Sequence, residues 1–86
     1  MPENIDVSEN RLALLGIIVS SGAAVEQVNA MLHDYADYVL GRMGLPLKSR
    51  GVNAITVVLD APVNAVNALT GKLGRVAGVS AKTLFR

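Results

Sequence analysis

The sequence predicts an α+β domain of the ferredoxin-like kind, a βαββαβ two-layer sandwich with a four-stranded antiparallel sheet. Three observations predict it. Two aliphatic, β-branched runs, residues 12–19 and 52–59, read as strands. Each is followed by a stretch in which apolar residues recur at helical spacing. Two more polar, alternating segments, 36–43 and 79–85, complete a split pair of βαβ units.

The N-terminal residues 1–10 are polar and acidic and are expected to form a flexible tail ahead of one domain over 11–86. Leu12-Ala13-Leu14-Leu15-Gly16-Ile17-Ile18-Val19 is too short and too β-branched for a helix and reads as a strand buried on both faces. Ser20-Ser21-Gly22 breaks it. Val25, Val28, Leu32 and Tyr35 then mark a helix over 23–33, with Glu26, Gln27 and Asn29 facing outward. In the second strand, 36–43, Ala36, Tyr38, Leu40 and Arg42 share one face and Asp37, Val39, Gly41 and Met43 the other. Residues 44–51, with Pro46 and Lys48-Ser49-Arg50-Gly51, are expected to be a mobile loop.

After the third strand, Pro62 suits the first turn of a helix, where its missing N–H costs nothing. Val63, Val66, Leu69, Thr70 and Leu73 mark that helix, and Gly74 suits a left-handed ending. Gly71, inside it, implies close approach of a neighbouring element. In this topology strands one and three are central. They are the most apolar, and the edges carry Tyr38, Arg42, Ser80, Lys82 and Arg86, as edges should.

Eighty-six residues make one domain, and a chain of that size buries only about 60–65% of its unfolded surface. Without cysteine there is no disulfide, thiolate zinc site or cysteine-ligated cluster. Apolar residues are 51% of the chain, yet its aromatics are only Tyr35, Tyr38 and Phe85, so the core is aliphatic. A net charge of +1 and the scarcity of stacking rings argue against nucleic-acid binding. Every acid but Asp60 precedes residue 38 and every base but Arg11 follows it. No apolar run spans a membrane, and the first residues do not form a signal peptide, so a cytoplasmic protein is expected.

Two helices cover one face of a four-stranded sheet, and the other face should be polar if it meets water. Here Leu12, Leu14 and Ile18 back Ala13, Leu15, Ile17 and Val19, while Ala54, Thr56 and Val58 back Ile55, Val57 and Leu59. Both faces are apolar. A monomer would expose roughly several hundred Å² of apolar surface, which marks an interaction site. Self-association as a dimer or tetramer through the sheet is expected.

The chemistry-bearing residues are few. His33, with Asp34 and Asp37, is a weak metal candidate, since one histidine and two carboxylates of one segment make a poor ligand set. Its plainer role is at a helix end, against terminal carbonyls. No nucleophile–base pairing is visible among Ser20, Ser21, Ser49 and Ser80, so no enzyme and no cofactor are expected. Gly71-Lys72-Leu73-Gly74-Arg75 lacks the glycine and the Ser or Thr of a phosphate loop, positions held here by Val66 and Leu73. Ser20, Ser21 and Gly22, opening the first helix, could present N–H groups to an anionic or amino-acid ligand, or simply form a turn. Arg42, beside Tyr38 on an edge strand, and Arg50, in the loop, could take a carboxylate or phosphate, or pair with solvent or a second subunit.

His33-Asp34-Tyr35-Ala36-Asp37-Tyr38-Val39-Leu40-Gly41-Arg42-Met43-Gly44-Leu45-Pro46 resembles the signature stretch of the iron-only hydrogenase system regulator family. Leu69-Thr70-Gly71-Lys72-Leu73-Gly74-Arg75, with Gly78-Val79-Ser80-Ala81-Lys82-Thr83 beyond, resembles that family's second signature. The resemblance covers the chain from Arg11 onward. It implies an ACT-like domain similar to the C-terminal sensing domain of the nickel-responsive repressor. Relatives of that kind pair through their sheets and often hold ligands between subunits. Nickel binding does not carry over, because the histidine-and-cysteine set is missing, and neither does the Asp-x-Pro-Gly pattern of ACT ligand sites. No DNA-binding segment is expected in a ten-residue tail. The implied role is a regulator acting by sensing a small-molecule effector, or, alternatively, an adaptor that binds a partner protein.

Overall fold

A computed structural model describes residues 8–86, and the first part of the expected tail, residues 1–7, lies outside the described residues. The elements are β1 (Asn10–Val19), α1 (Gly22–Asp34), β2 (Val39–Leu47), β3 (Val52–Pro62), α2 (Val63–Gly74) and β4 (Val79–Phe85). The sheet runs β2-β3-β1-β4 with every pairing antiparallel, so β1 and β3 are central. This is the ferredoxin-like βαββαβ fold.

The core lies between sheet and helices. β1 contributes Ala13, Leu15, Ile17 and Val19, and β3 contributes Ile55, Val57, Leu59 and Ala61. Opposed in register, these residues form cross-strand pairs such as Leu15 with Val57 and Ile17 with Ile55. α1 buries Ala24, Val28 and Leu32, one residue per turn, flanked by half-buried Val25 and Tyr35. α2 buries Val63, Val66, Leu69 and Leu73. No polar side chain is buried among the described residues. The helices are joined by Lys72, whose Nζ donates to the Tyr35 hydroxyl at 3.1 Å and lies 5.3 Å from that ring's centre. Thr70 donates to the Val66 carbonyl at 2.8 Å and shares a 2.7 Å hydroxyl contact with Thr83, fastening α2 to β4.

β1, expected to be buried on both faces, is buried on one within a single chain. The largest departure from the sequence reading is β2. Residues Ala36–Tyr38 form a 3-10 turn, and the strand begins only at Val39. Tyr35 and Tyr38 both pack on the core, their ring centres 6.5 Å apart, and a tight turn rather than an extended chain permits this. The strand then continues through Pro46 to Leu47, so half of the expected loop is sheet. Proline is admissible there because an edge strand has one row of backbone groups facing away from the ladder. Lys48–Arg50 makes a second 3-10 turn, closed by Gly51 at φ 67°.

β2 also carries a bulge between Val39 and Gly41. The extra residue reverses the alternation beyond it. Val39 and Arg42 therefore share the helix side, opposite Leu59 and Val57, while Gly41 and Met43 lie on the open side. This corrects the expected placing of Val39 and Arg42 on opposite faces.

The end of α2 differs too. Pro62 closes β3 in extended conformation, and the helix starts at Val63. Gly74 is its last residue and is not left-handed; the end is closed by Arg75 N–H to the Lys72 carbonyl and Val76 N–H to that of Leu73. Gly71 meets no neighbouring element, since a Cβ there would come within 4 Å of only the Arg75 Nη1, at 3.6 Å. Gly71→Ala is therefore expected to stabilise the protein by about 0.5–1 kcal/mol, read as a raised denaturation midpoint.

The left-handed glycine beyond α2 is Gly78, at φ 82°. A Cβ on it would lie 3.2 Å from the Ser21 Cβ and 3.3 Å from the Ser20 Oγ. Conformation and crowding act together, so Gly78→Ala is expected to cost about 1–3 kcal/mol. A shift of the thermal midpoint checks it, and an unchanged midpoint would show that the β1–α1 turn relaxes freely.

Candidate functional site

The residues singled out in the sequence do not converge on one place. Ser20, Ser21 and Gly22 lie where β1 passes into α1. The Ser20 N–H and hydroxyl both donate to the Gly78 carbonyl, at 2.7 and 3.0 Å, which ties this turn to the start of β4. Ser21 is the N-cap of α1 but makes no side-chain capping bond. Arg50 is exposed in the β2–β3 hairpin, at the same end of the sheet, because Val19 pairs with Asn53 and Val52 with Leu47. Tyr38 sits at the opposite end, half-buried on the core. His33 is in the last turn of α1. Among the described residues no group of three or more His, Cys, Asp or Glu could hold a metal ion. The Gly71–Arg75 segment is helical or helix-capping, with Lys72 engaged by Tyr35, so it forms no phosphate loop.

Two surfaces remain. The first is the open face of the sheet. Leu12, Leu14 and Ile18 of β1 are 44%, 43% and 51% exposed, and Leu84 of β4 is 67% exposed. Met43 and Leu45 extend the apolar surface onto β2, and Ala54 and Val58 join the two across β3. Charged residues on this face include Asp60, beside Leu12 at one end, Lys82 on an edge strand, and Arg86, which borders a depression with Leu12, Leu14 and Leu84. Gly16, at the centre, leaves a depression of about 320 Å³ bordered by Ile18, Thr56, Ser80 and Lys82.

The second surface is a cleft of about 330 Å³ on the helix side, between α1 and β2, lined by Asn29, Leu32, His33, Ala36, Val39, Arg42 and Val57. The bulge in β2 turns Arg42 into it, and the Arg42 guanidinium donates to the Asn29 Oδ1 at 3.0 Å. Asn29, read from the sequence only as an outward-facing helix residue, is thus a partner of Arg42. The glycine at 41 is the one trace of the bulge in the sequence, since glycine within a strand often marks one.

A family model, TM1266-like, described as "Iron-only hydrogenase system regulator, putative", matches residues 11–83. The chain belongs to the TM1266-like family. Its fold is also that of a solved structure, uncharacterized protein TM1266 from Thermotoga maritima, with a TM-score of 0.86 and 36% sequence identity. The match covers 90% of this chain and 98% of that one, so the TM1266-like domain accounts for nearly all of both. No curated protein matches the chain. Among the described residues no helix is long and apolar enough to cross a membrane.

Proposed function

We propose that this TM1266-like protein is a non-enzymatic regulator of the iron-only hydrogenase system, an ACT-like module that self-associates through the open sheet face and responds to a small-molecule effector. The observation that carries the reading is the row of outward-facing aliphatic side chains on both central strands, exposed Leu12, Leu14 and Ile18 and half-buried Val58, where a lone soluble sheet would alternate to polar.

A second copy of the chain is the partner that suits this face. With strands about 25 Å long and four of them about 4.8 Å apart, the face measures roughly 475 Å² per copy. A face-to-face pair covers about 950 Å², below the roughly 1,200 Å² at which stable specific interfaces begin, so the pair is expected to be a reversible one. A two-fold axis through the face would set apolar surface against apolar surface. Association also supplies burial that an 86-residue chain lacks alone.

Native mass spectrometry of the full chain, purified without chelator, tests both halves of the proposal. A dimer or tetramer carrying additional small-molecule mass is the expected result. A bare oligomer would shift the role from effector sensing to protein adaptor, and a bare monomer would overturn self-association.

A further inference from the structure

The helix side of the sheet is covered unevenly. Between α1 and β2 a trough remains, with β3 as its floor. Beside the cleft already described lies a second cavity of about 250 Å³, and Asn29 and Arg42 line both, so the two adjoin. The floor is aliphatic: Leu32, Ile55 and Val57 are all buried. Gly44 borders the second cavity, and a Cβ there would meet nothing within 4 Å. An apolar trough with a few convergent polar groups is the usual form of a small-molecule site.

Arg42 is in this trough only because of the bulge. Counting from Val39 opposite Leu59 without the extra residue, Arg42 would face Thr56 on the open side of the sheet; with it, Arg42 faces Val57 on the helix side. Bulges commonly re-aim a side chain next to a site. The bond to Asn29 occupies one of the guanidinium's five donors. His33 lines the first cavity as well and brings a further ring nitrogen within the same wall.

We infer that this trough binds a small carboxylate carried on an apolar body, with the Arg42 guanidinium taking the carboxylate, Asn29 orienting the guanidinium, and half-buried Val25 and Val39, which line the two cavities above the Leu32–Val57–Ile55 floor, receiving the apolar part. A planar cationic fork matches carboxylate and phosphate alike, but phosphate sites also gather several N–H donors or a helix N-terminus, and among the described residues Arg42 is the only cation other than His33 that lines the trough. The trough lies at the small end of ligand-site volumes, which suits a compact molecule. The inference rests on the effector reading and gives that effector a site and a chemical class.

The test is titration of sodium hexanoate into the isotope-labelled full chain, followed by amide chemical shifts. Shifts confined to Asn29, His33, Val39, Arg42 and their neighbours are expected. Arg42→Ala should weaken binding about tenfold or more, through loss of a charge-assisted hydrogen bond. Gly44→Leu, which fills the second cavity and leaves the charges in place, should weaken it as well, so the result does not depend on one variant. Inorganic phosphate should leave the same signals unmoved. The site is overturned by hexanoate shifts confined to the open face, by no shift at all, by unchanged affinity in both variants, or by equal competition from phosphate. A panel of amines, nucleosides and sugars in the same assay separates the two readings. A compound binding elsewhere sinks the trough and keeps the effector; no response to any compound sinks both.

Discussion

Leu14→Lys is expected to abolish the proposed self-association and leave a folded monomer. Leu14 lies on central strand β1, on the open face, opposite Val58 on one side and Leu84 on the other. In a single chain it is 43% exposed, so a lysine there can keep its ammonium in water and the fold survives. In a two-fold pair the substitution places two like charges in an apolar interface, each desolvated and unpaired. The dissociation constant should rise by about a hundredfold or more. Sedimentation velocity measures that rise, and circular dichroism checks that the variant remains folded. A variant that unfolds would be replaced by Ile18→Lys, at 51% exposure on the same face. Unchanged association in a folded variant would place any contact elsewhere.

Leu15→Ala, one residue away, should do the opposite: keep the surface and weaken the fold. Leu15 is fully buried and pairs with Val57 on β3 and Thr83 on β4 at the centre of the sheet's helix face. Truncation removes the transfer energy of the side chain and leaves a cavity among neighbours held by two ladders. The expected cost is about 3 kcal/mol, within the usual range of 2–5. That is a large share of the stability of so small a domain. Urea denaturation at fixed protein concentration should show a lower midpoint with an unchanged slope. The contrast between adjacent residues is the informative part, because the period-two alternation of β1 sends one side chain to the core and the next to the open face.

The alternation of β1 and β3 was legible in the sequence because both strands are long, aliphatic and regular. Their odd residues face the helices and their even residues the open side, from Ala13 to Val19 and from Ala54 to Leu59. β4 was legible to its ends, since Gly78 before it and the alternation within it are local signals. β2 was not. Its start depends on Tyr35 and Tyr38 reaching the core, a tertiary effect that overrides local alternation. Its register depends on a single bulge residue, which no period-two pattern can announce. Gly74 and Gly78 both resemble helix enders, and the closing bonds of Arg75 and Val76 decide between them.

The site was less visible for the same reason. Arg42 stood out as an edge-strand cation, but its pairing with Asn29 follows from the bulge and from the crossing of α1 over β3. Ser20 stood out as a potential ligand contact, yet its polar groups hold the Gly78 carbonyl. The open apolar face, by contrast, could be read from residue types alone, because it needs only the alternation of two central strands.

Nuclear Overhauser effects filtered for contacts between differently labelled chains, in a mixture of labelled and unlabelled protein, test the central proposal most directly. They report which methyl groups of one copy touch another. Intermolecular contacts from the methyls of Leu12, Leu14, Ile18 and Val58 are the predicted result. Intermolecular contacts confined to the helix side, or none at all in a chain that sediments as a monomer, would contradict self-association through the open sheet face.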